Sequence, residues 1–260
     1  MKTTKASIYD FPKYYDLVFG SDTAAEITFL KDCIKKHVKG KVKRLFEPAC
    51  GTGRLLFRLG KEGYEVGGID LNSKAVDFCN ARLKKLKLKG QAQVGDMSDF
   101  EVAKPFDIGF NTINSFRHLL TEESAKGHLV SMAKAIRLGG IYALGFHLTP
   151  THAEPDDEES WSARRGQLMI NTQMWPVSKD KKKRLECFGI RFDIYTPTDT
   201  MKINDVLRLR SYTAKQFQSL VDSVSDLWEP VEHFDFGYDI KSPIKIDGTT
   251  QDVITIFKRI

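Results

Sequence analysis

The sequence lacks several features that mark special protein classes. Its four cysteines form no Cys-x-x-Cys pair and show no zinc-ligand spacing. No apolar run approaches the roughly 20 residues of a membrane span. The N-terminal residues lack the apolar segment of a signal peptide. These absences favour free thiols in a reducing compartment, and we expect a cytoplasmic protein with no membrane partner.

The composition is that of an ordinary globular chain. A length of 260 residues allows one large α/β domain or one domain with an insertion, and a hydrophobic content of 41% supplies a core. The net charge of +6 is compatible with an anionic partner, but enzymes often carry such an excess. The chain contains no internal repeat and no long low-complexity linker.

The stretch Arg44–Asp70 is predicted to form a strand, a glycine-rich turn, a helix and a second strand. A short apolar run ends at Glu47, as expected for a strand buried in a parallel sheet. The turn Cys50-Gly51-Thr52-Gly53 follows, and its glycines allow tight dihedrals and close approach of a ligand. The second strand, Tyr64–Ile69, delivers Asp70 to the edge of the sheet, where an acidic residue can bind ribose hydroxyls.

These residues resemble the nucleoside-binding core of class I S-adenosylmethionine (SAM)-dependent methyltransferases. The family pattern is an acid followed by Gly at every second position, and this chain has Glu47-Pro48-Ala49-Cys50-Gly51-Thr52-Gly53, with Asp70 17 positions after Gly53. Ala49 replaces the first glycine and is small enough to keep the turn. The resemblance covers residues 40–147 well and the remainder loosely. A nicotinamide-binding Rossmann unit is the nearest alternative, but Leu56 occupies the position of its third glycine.

The resemblance implies an α/β fold with a seven-stranded sheet and helices on both faces. Its strand order is 3-2-1-4-5-7-6, with the last strand antiparallel. We divide the chain into an N-terminal arm and helix (1–40), a SAM-binding core (41–148), an insertion (149–212) and the end of the core (213–260). Alternating apolar residues predict three antiparallel strands in the insertion, covering the active-site mouth: Gln167–Val177, Leu185–Tyr195 and Met201–Tyr212.

Capping residues predict two helix starts. Ser73 is the expected N-cap of a helix that runs to about Lys87. Thr213 and Gln216 match a capping box that opens a later helix. The stretch Thr151–Ser160 is acidic and is predicted to be a loop.

The resemblance also assigns residues to the methyl donor SAM and its product S-adenosylhomocysteine (SAH). Asp70 is implied to hold the ribose, with Gly51 and Gly53 under the methionine part. The complete implied set is Tyr15, Glu47, Ala49, Cys50, Gly51, Gly53, Asp70, Leu71, Asp96, Met97 and Asn111.

Two parts of this set lie outside the glycine-rich turn. Asp96 is implied to accept a hydrogen bond from the adenine amino group, and Met97 to contact the ring. In the N-terminal arm, Tyr14 or Tyr15 is implied to contact the methionine carboxylate. Alternatively, these tyrosines only pack the arm against the domain.

The polar loop Asn111–Leu119 is expected beside the transferred methyl group. Arg117 or His118 is expected to point into the acceptor cavity, where Arg117 would favour a carboxylate or phosphate. Alternatively, Arg117 pairs with Glu122 or Glu123 of the next helix. The candidate general bases are His118 and His147, each of which has a structural role as its alternative.

The leading interpretation is in-line methyl transfer to a small molecule. An RNA or protein methyltransferase is an alternative, using the basic helix face of residues 82–89 and the lysine run of residues 181–183. Further alternatives are a SAM-binding protein without turnover and a nicotinamide oxidoreductase. Nucleic acid is not the expected partner, since the chain has no Asn-Pro-Pro-Tyr/Phe motif. No metal is expected, although the acidic run Glu154–Glu159 lies near His147 and His152.

Overall fold

The computed structural model describes residues 2–20, 23–152 and 158–260 of the chain. The β-strands are β1 (Lys2–Lys5), β2 (Arg44–Pro48), β3 (Glu65–Asp70), β4 (Gly90–Val94), β5 (Phe106–Asn111), β6 (Ile136–His147), β7 (Glu159–Arg165), β8 (Leu168–Asp180), β9 (Leu185–Tyr195), β10 (Thr200–Arg210), β11 (Trp228–Phe234) and β12 (Asp252–Arg259). The α-helices are α1 (Pro12–Phe19), α2 (Ala24–His37), α3 (Leu56–Lys61), α4 (Ser73–Lys85), α5 (Glu122–Ala135) and α6 (Ala214–Asp222). Short 3₁₀ helices cover Ile8–Asp10 and Ser115–His118.

The larger sheet has seven strands in the order β4-β3-β2-β5-β6-β12-β11. Strands β2 to β6 pair in parallel, whereas β12 runs antiparallel to both β6 and β11. Numbered along the core, this is the order 3-2-1-4-5-7-6, so the predicted topology is confirmed. The strand order reverses between β2 and β5, and ligands of such sheets bind at the carboxyl ends of the strands beside that point.

Helices cover both faces of this sheet because its central strands are apolar on both sides. Helices α2, α3 and α4 contribute Phe29, Leu59 and Val76 to the core on one face. Helices α5 and α6 contribute Leu129 and Phe217 to the core on the other. All residues of β2 and β5 except Arg44 and Asp107 are therefore buried, as expected for parallel strands covered on both faces.

A second sheet has five strands in the order β1-β10-β9-β8-β7. The prediction of three strands was too low. Only Ala163 of the seven residues of β7 is buried, so its sequence lacks the apolar alternation that predicts a strand. The predicted loop 151–160 overlaps its first two residues. Strand β1 has the sequence Lys-Thr-Thr-Lys, without apolar alternation, and pairs in parallel with β10. The N-terminal arm is therefore part of this sheet.

The segment that follows β1 lies between the two sheets. Ile8 and Leu17 pack with Ile190 and Ile203 of the second sheet. Helix α1 also contacts α4 of the core. The N-terminal segment thus joins the second sheet to the half of the core that contains α4.

The observed caps correct one prediction and confirm another. Asn72 is the N-cap of α4, since its side chain accepts the Ala75 N–H at 3.0 Å; the predicted cap, Ser73, is the first helical residue. The capping box of Thr213 and Gln216 is present at the start of α6. None of the helices in the described part of the chain is long and apolar enough to cross a bilayer.

Candidate active site

A cavity of about 630 Å³ lies between the strand ends of the core and the second sheet. This volume is within the range of small-molecule sites. Its core side is formed by the turn after β2, the end of β3 and the loop after β5. The opposite wall comes from one face of the second sheet, where side chains two apart point the same way. That wall includes Trp161, Met174, Phe188, Ile190, Leu207 and Leu209.

The turn after β2 is held by its own backbone and by Asp70. Ala49, Gly51 and Gly53 have φ of 52°, 52° and 68°, the left-handed region in which alanine is uncommon and glycine is unstrained. The Gly51 N–H donates to Asp70 Oδ2 at 2.8 Å, and the Asn72 N–H donates to Oδ1 at 2.8 Å. Burial raises the pKa of Asp70, and these two N–H groups counteract that effect.

The two glycines of this turn serve different purposes. A Cβ on Gly51 would meet only Asp70 and Tyr15, both at 4.0 Å, so its missing side chain leaves open space in the cavity wall. A Cβ on Gly53 would overlap the Cys79 sulfur of α4. Gly53 does not line the cavity and instead allows the turn to approach α4.

Two buried oxygens at the strand ends lack hydrogen-bond partners within the described chain. They are Oε2 of Glu47 and Oδ1 of Asn111. The Asn111 amide nitrogen donates to Pro48 O at 2.8 Å, which leaves its oxygen directed elsewhere. Burial raises the pKa of Glu47 well above its ordinary range. An unpartnered buried acceptor is costly, so these oxygens favour a ligand that donates hydrogen bonds.

Of the two candidate tyrosines, Tyr15 lines the cavity. Burial raises its pKa to about 12, and the phenol is therefore neutral. Tyr14 stacks on Phe11 with ring centroids 6.2 Å apart and is not among the lining residues.

Of the two residues expected around adenine, one lines the cavity and the other does not. Met97 is buried and lines the cavity, and its carbonyl oxygen accepts a hydrogen bond from Nδ1 of His128 at 2.9 Å. Leu71 lines the cavity and is 70% exposed. Asp96 does not line it, and its Oδ1 accepts the Ser98 N–H at 2.8 Å.

Arg117 lies in the cavity wall, and its partner differs from the predicted ones. Its guanidinium forms an ion pair with Glu186 of the second sheet, and its Nε donates to Arg210 O at 2.8 Å. Glu122 pairs instead with Arg184 and Arg210, at 2.7 and 2.8 Å. The alternative pairing of Arg117 with Glu122 or Glu123 is not among its described contacts. Sequence proximity did not show that Glu186 would lie against this loop.

Two histidines line the cavity among the residues described. Nε2 of His118 hydrogen-bonds the Tyr9 hydroxyl at 2.9 Å. Burial, followed by the charge of Arg117, lowers the pKa of His118, so its imidazole is neutral at pH 7. Nδ1 of His147 lies 2.6 Å from Oδ1 of Asp252.

Sequence reasoning missed Tyr9, Glu186 and Asp252. Each of them contacts a cavity residue that is about 70 to 110 positions away in the chain. Only the tyrosine-rich composition near Tyr9 gave a signal. The acidic run Glu154–Glu159, for which no metal is expected, lies largely in residues 153–157, outside the described residues. Within the described residues, no group of His, Cys, Asp or Glu is arranged to hold a metal ion.

Comparison with known proteins identifies the domain around this cavity. A family model described as "Methyltransferase domain" matches residues 46–140, which include the turn after β2, Asp70 and the loop after β5. Residues 46–140 form a methyltransferase domain. A curated protein of Geobacillus sp. (strain WCH70), named as a methyltransferase, is 25% identical to the chain over 122 residues. The match covers 47% of this chain and 49% of that protein, so the chain spans about half the length of this relative.

Solved structures show that the fold of the methyltransferase domain and its second sheet recurs in other proteins. A SAM-dependent methyltransferase from Clostridium acetobutylicum is similar with a TM-score of 0.76 and 14% identity, covering 95% of this chain and 97% of that one. The sugar N-methyltransferase KedS8 from Streptoalloteichus sp. is similar with a TM-score of 0.72 and 15% identity, covering 97% and 94%. At these identities the likeness establishes the fold.

The residues present fit SAM, the methyl donor of the family that the sequence resembles. Asp70 offers a carboxylate at the end of β3, and the missing Cβ of Gly51 leaves room beside it. The unpartnered oxygens of Glu47 and Asn111 are acceptors for a cationic, hydrogen-bond-donating ligand. Met97 adds an apolar surface for a flat ring.

Proposed function

We propose that this methyltransferase domain transfers the methyl group of SAM to a small molecule. The observation that carries the proposal is that one cavity is lined both by the turn after β2 and by the apolar face of the second sheet. Donor and acceptor can therefore lie side by side between the two sheets. Two proteins of this fold are named for small acceptors, as a sugar N-methyltransferase and an amino pentose methyltransferase.

The charges in the cavity favour a small acceptor over RNA. Three Lys and Arg side chains line it within the described structure, and each is paired with a carboxylate: Arg54 with Glu26, and Arg117 and Lys179 with Glu186. On the basic helix, Arg82 is tied to Asp16 at 2.6 Å. RNA binding depends on cations that can neutralise phosphates, so this arrangement supports the RNA alternative poorly.

We assign donor-binding roles to the residues that fit SAM in the cavity. Asp70 holds the ribose, and Glu47 with Asn111 faces the methionine end. The other proposed contacts from the cavity wall are Tyr15, Ala49, Cys50, Gly51, Leu71 and Met97. Gly53 acts through the shape of the turn. A contact from Asp96 stays a prediction, because its side chain already accepts a hydrogen bond within its own turn.

SAM supplies a sulfonium with a good leaving group, and the chain supplies position. Holding two reactants in line can lower a barrier by roughly 7–11 kcal/mol. His118 is proposed as the residue that orients the acceptor, since its neutral imidazole lies in the wall, fixed by Tyr9. Arg117 is proposed as a positioning residue that holds the Glu186 side of the second sheet against the loop. The expected cytoplasmic location stays a prediction.

The test measures donor binding and turnover separately. Calorimetry with SAM and SAH on the wild-type protein should show binding that the Asp70→Ala variant weakens. Transfer of tritium from methyl-labelled SAM is then measured with amino sugars, small amines and hydroxylated aromatics, and with total RNA and denatured protein. Label in a small molecule supports the proposal. Label in RNA or protein alone contradicts the substrate class, and SAM binding without any transfer indicates a SAM-binding protein without turnover.

A further inference from the structure

His147 and Asp252 form a hydrogen-bonded pair at the edge of the cavity. They are direct cross-strand partners at the carboxyl end of β6 and the start of β12. Nδ1 of His147 lies 2.6 Å from Oδ1 of Asp252, and the His147 backbone N–H donates to Asn114 Oδ1 at 2.9 Å. The pair is therefore anchored to the loop after β5, which borders the donor site.

The second ring nitrogen of His147 is available to a ligand. Its Nε2 has no hydrogen-bond partner within the described chain, while the ring packs against Phe236 at a centroid distance of 5.1 Å. The side chain is 27% exposed and is part of the cavity wall. Because the carboxylate of Asp252 fixes the proton on Nδ1, Nε2 carries the free electron pair.

His118, the other histidine of the cavity, is less suited to take up a proton. Its Nε2 is occupied by the Tyr9 hydroxyl, and the neighbouring charge of Arg117 opposes a second positive charge. His147 has different surroundings, since its hydrogen-bond partner is the carboxylate of Asp252. The same relation of carboxylate, imidazole and free nitrogen serves general-base catalysis on unrelated folds.

We propose that His147 is the general base of the reaction and that Asp252 is its positioning residue, which rests on the methyl transfer proposed above. The acceptor carries a protonated nucleophile, such as an amine N–H or a hydroxyl. As its lone pair forms the bond to the methyl carbon, the carbon–sulfur bond breaks and its electron pair goes to sulfur. The acceptor proton passes to Nε2 of His147, and the resulting positive charge faces Asp252.

The groups around the pair define the expected pH dependence. From β12 the imidazole faces Asp252, and from the loop after β5 it faces the neutral side chain of Asn114. Next along the segment after β11 is Tyr238, whose pKa is raised by burial, by Glu26 and by Asp252, so that it stays neutral. A general base acts only in its unprotonated form, so turnover should fall on the acid side.

The test uses His147→Gln and Asp252→Asn, with His152→Gln as a surface control, on an acceptor that the wild-type protein turns over. His147→Gln and Asp252→Asn should each bind SAH with a Kd within about twofold of the wild-type value. His147→Gln should lower kcat by about 10²- to 10⁴-fold, the usual contribution of a general base, and should abolish the acid limb of its pH profile. Asp252→Asn should lower kcat less and shift that limb, and added imidazole should partly restore a His147→Ala variant.

Three outcomes would overturn the inference. If His147→Gln has an unchanged kcat and pH profile, His147 is not the general base, and the proposed function is unaffected. Loss of SAH binding together with turnover would show that the pair only supports the fold. Absence of transfer by the wild-type protein to every acceptor tested would reject the proposed function, and this role with it.

Discussion

The backbone N–H of Gly51 donates a hydrogen bond to Oδ2 of Asp70, at 2.8 Å. This contact joins the turn after β2 to the end of β3, on neighbouring parallel strands. The carboxylate also accepts from the Asn72 N–H, so its position is fixed before any ligand binds. A preorganised carboxylate costs little to order on binding, and this favours tight recognition of ribose hydroxyls.

Replacing Asp70 by alanine is expected to weaken SAH binding by about 10- to 100-fold. The loss corresponds to a hydrogen bond to a charged group, worth about 1.5–3 kcal/mol. Glu65→Ala is the matched control, because Glu65 lies on the same strand and pairs only at the surface with Arg44, at 2.8 Å. Calorimetry measures both variants. An unchanged Kd for SAH in a folded Asp70→Ala protein would contradict the assignment of Asp70 to the ribose hydroxyls.

Gly53→Ala is expected to destabilise the chain more than Gly63→Ala. Both glycines have positive φ, 68° and 96°, but the added methyl has open space at Gly63 and meets the Cys79 sulfur at Gly53. Backbone strain alone costs about 1–3 kcal/mol. The collision with the Cys79 sulfur should add to that cost, and it should displace the turn after β2.

A double variant separates the two contributions. Cys79→Ala removes the sulfur, so Gly53→Ala combined with Cys79→Ala should lose less stability than the two single changes added together. Urea unfolding measures the four proteins. Strict additivity would show that the contact with α4 does not explain the glycine.

The core fold was predictable because its signals are local. The Glu47–Gly53 motif, the Thr213 capping box and the apolar strand runs each lie within a few neighbouring residues, and the family resemblance ordered the strands. Strand β1 was not predictable, since it is polar and gains its place from pairing with the distant strand β10. Strand β7 pairs with the next strand, β8, but it is mostly polar and has one buried residue, so its sequence shows no apolar alternation.

The same reason limits what could be predicted of the site. The turn after β2 is one continuous segment, whereas the cavity wall formed by the second sheet combines side chains from several strands. The partner of Arg117 lies 69 residues away, and that of His118 lies 109 residues away. No periodicity connects residues so far apart, and only the packing of the second sheet brings them together.

Arg117→Met is expected to destabilise the chain by about 3 kcal/mol, because removal of one partner of a buried ion pair leaves a buried charge. Glu186 is 7% exposed and, among the described residues, would keep only Lys179 as a cation partner, at 2.9 Å. Combining Arg117→Met with Glu186→Leu should restore most of the stability. Urea unfolding tests this, and a double variant no more stable than Arg117→Met would contradict the account.

His128 is expected to make stability fall as the pH drops below 6.5. Burial lowers its pKa to about 4, and its ring nitrogens bond Met97 O and the Tyr142 hydroxyl, at 2.9 and 2.7 Å. Between pH 6.5 and 4 the unfolded chain therefore binds a proton that the folded chain does not. At about 1.4 kcal/mol per pKa unit, this group removes about 2 kcal/mol between pH 6.5 and 5.

His128→Gln tests this dependence. The variant should be less stable at pH 7 because it loses a hydrogen bond, but its stability should change less between pH 6.5 and 5. Urea unfolding at several pH values measures the slope. An equal slope in the variant and the wild type would assign the pH dependence to other groups.

Tyr9 and His118 are expected to act together on the acceptor and not on the donor. Their side chains are joined by a 2.9 Å hydrogen bond in the cavity wall. Tyr9→Phe removes that bond, worth about 0.5–1.5 kcal/mol, and should lower turnover by about 2- to 13-fold. His118→Ala should lower it further, and the double variant should resemble His118→Ala, because the phenol acts through the imidazole.

Tyr14→Phe is the matched control for this pair, since Tyr14 lies on the same segment, stacks on Phe11 and does not line the cavity. It should leave turnover unchanged. SAH binding should be unchanged in all four variants, which calorimetry checks, while tritium transfer from SAM measures turnover. Multiplicative effects of Tyr9→Phe and His118→Ala would show that the two side chains act independently. Loss of SAH binding in His118→Ala would move this residue from the acceptor side of the cavity to the donor side.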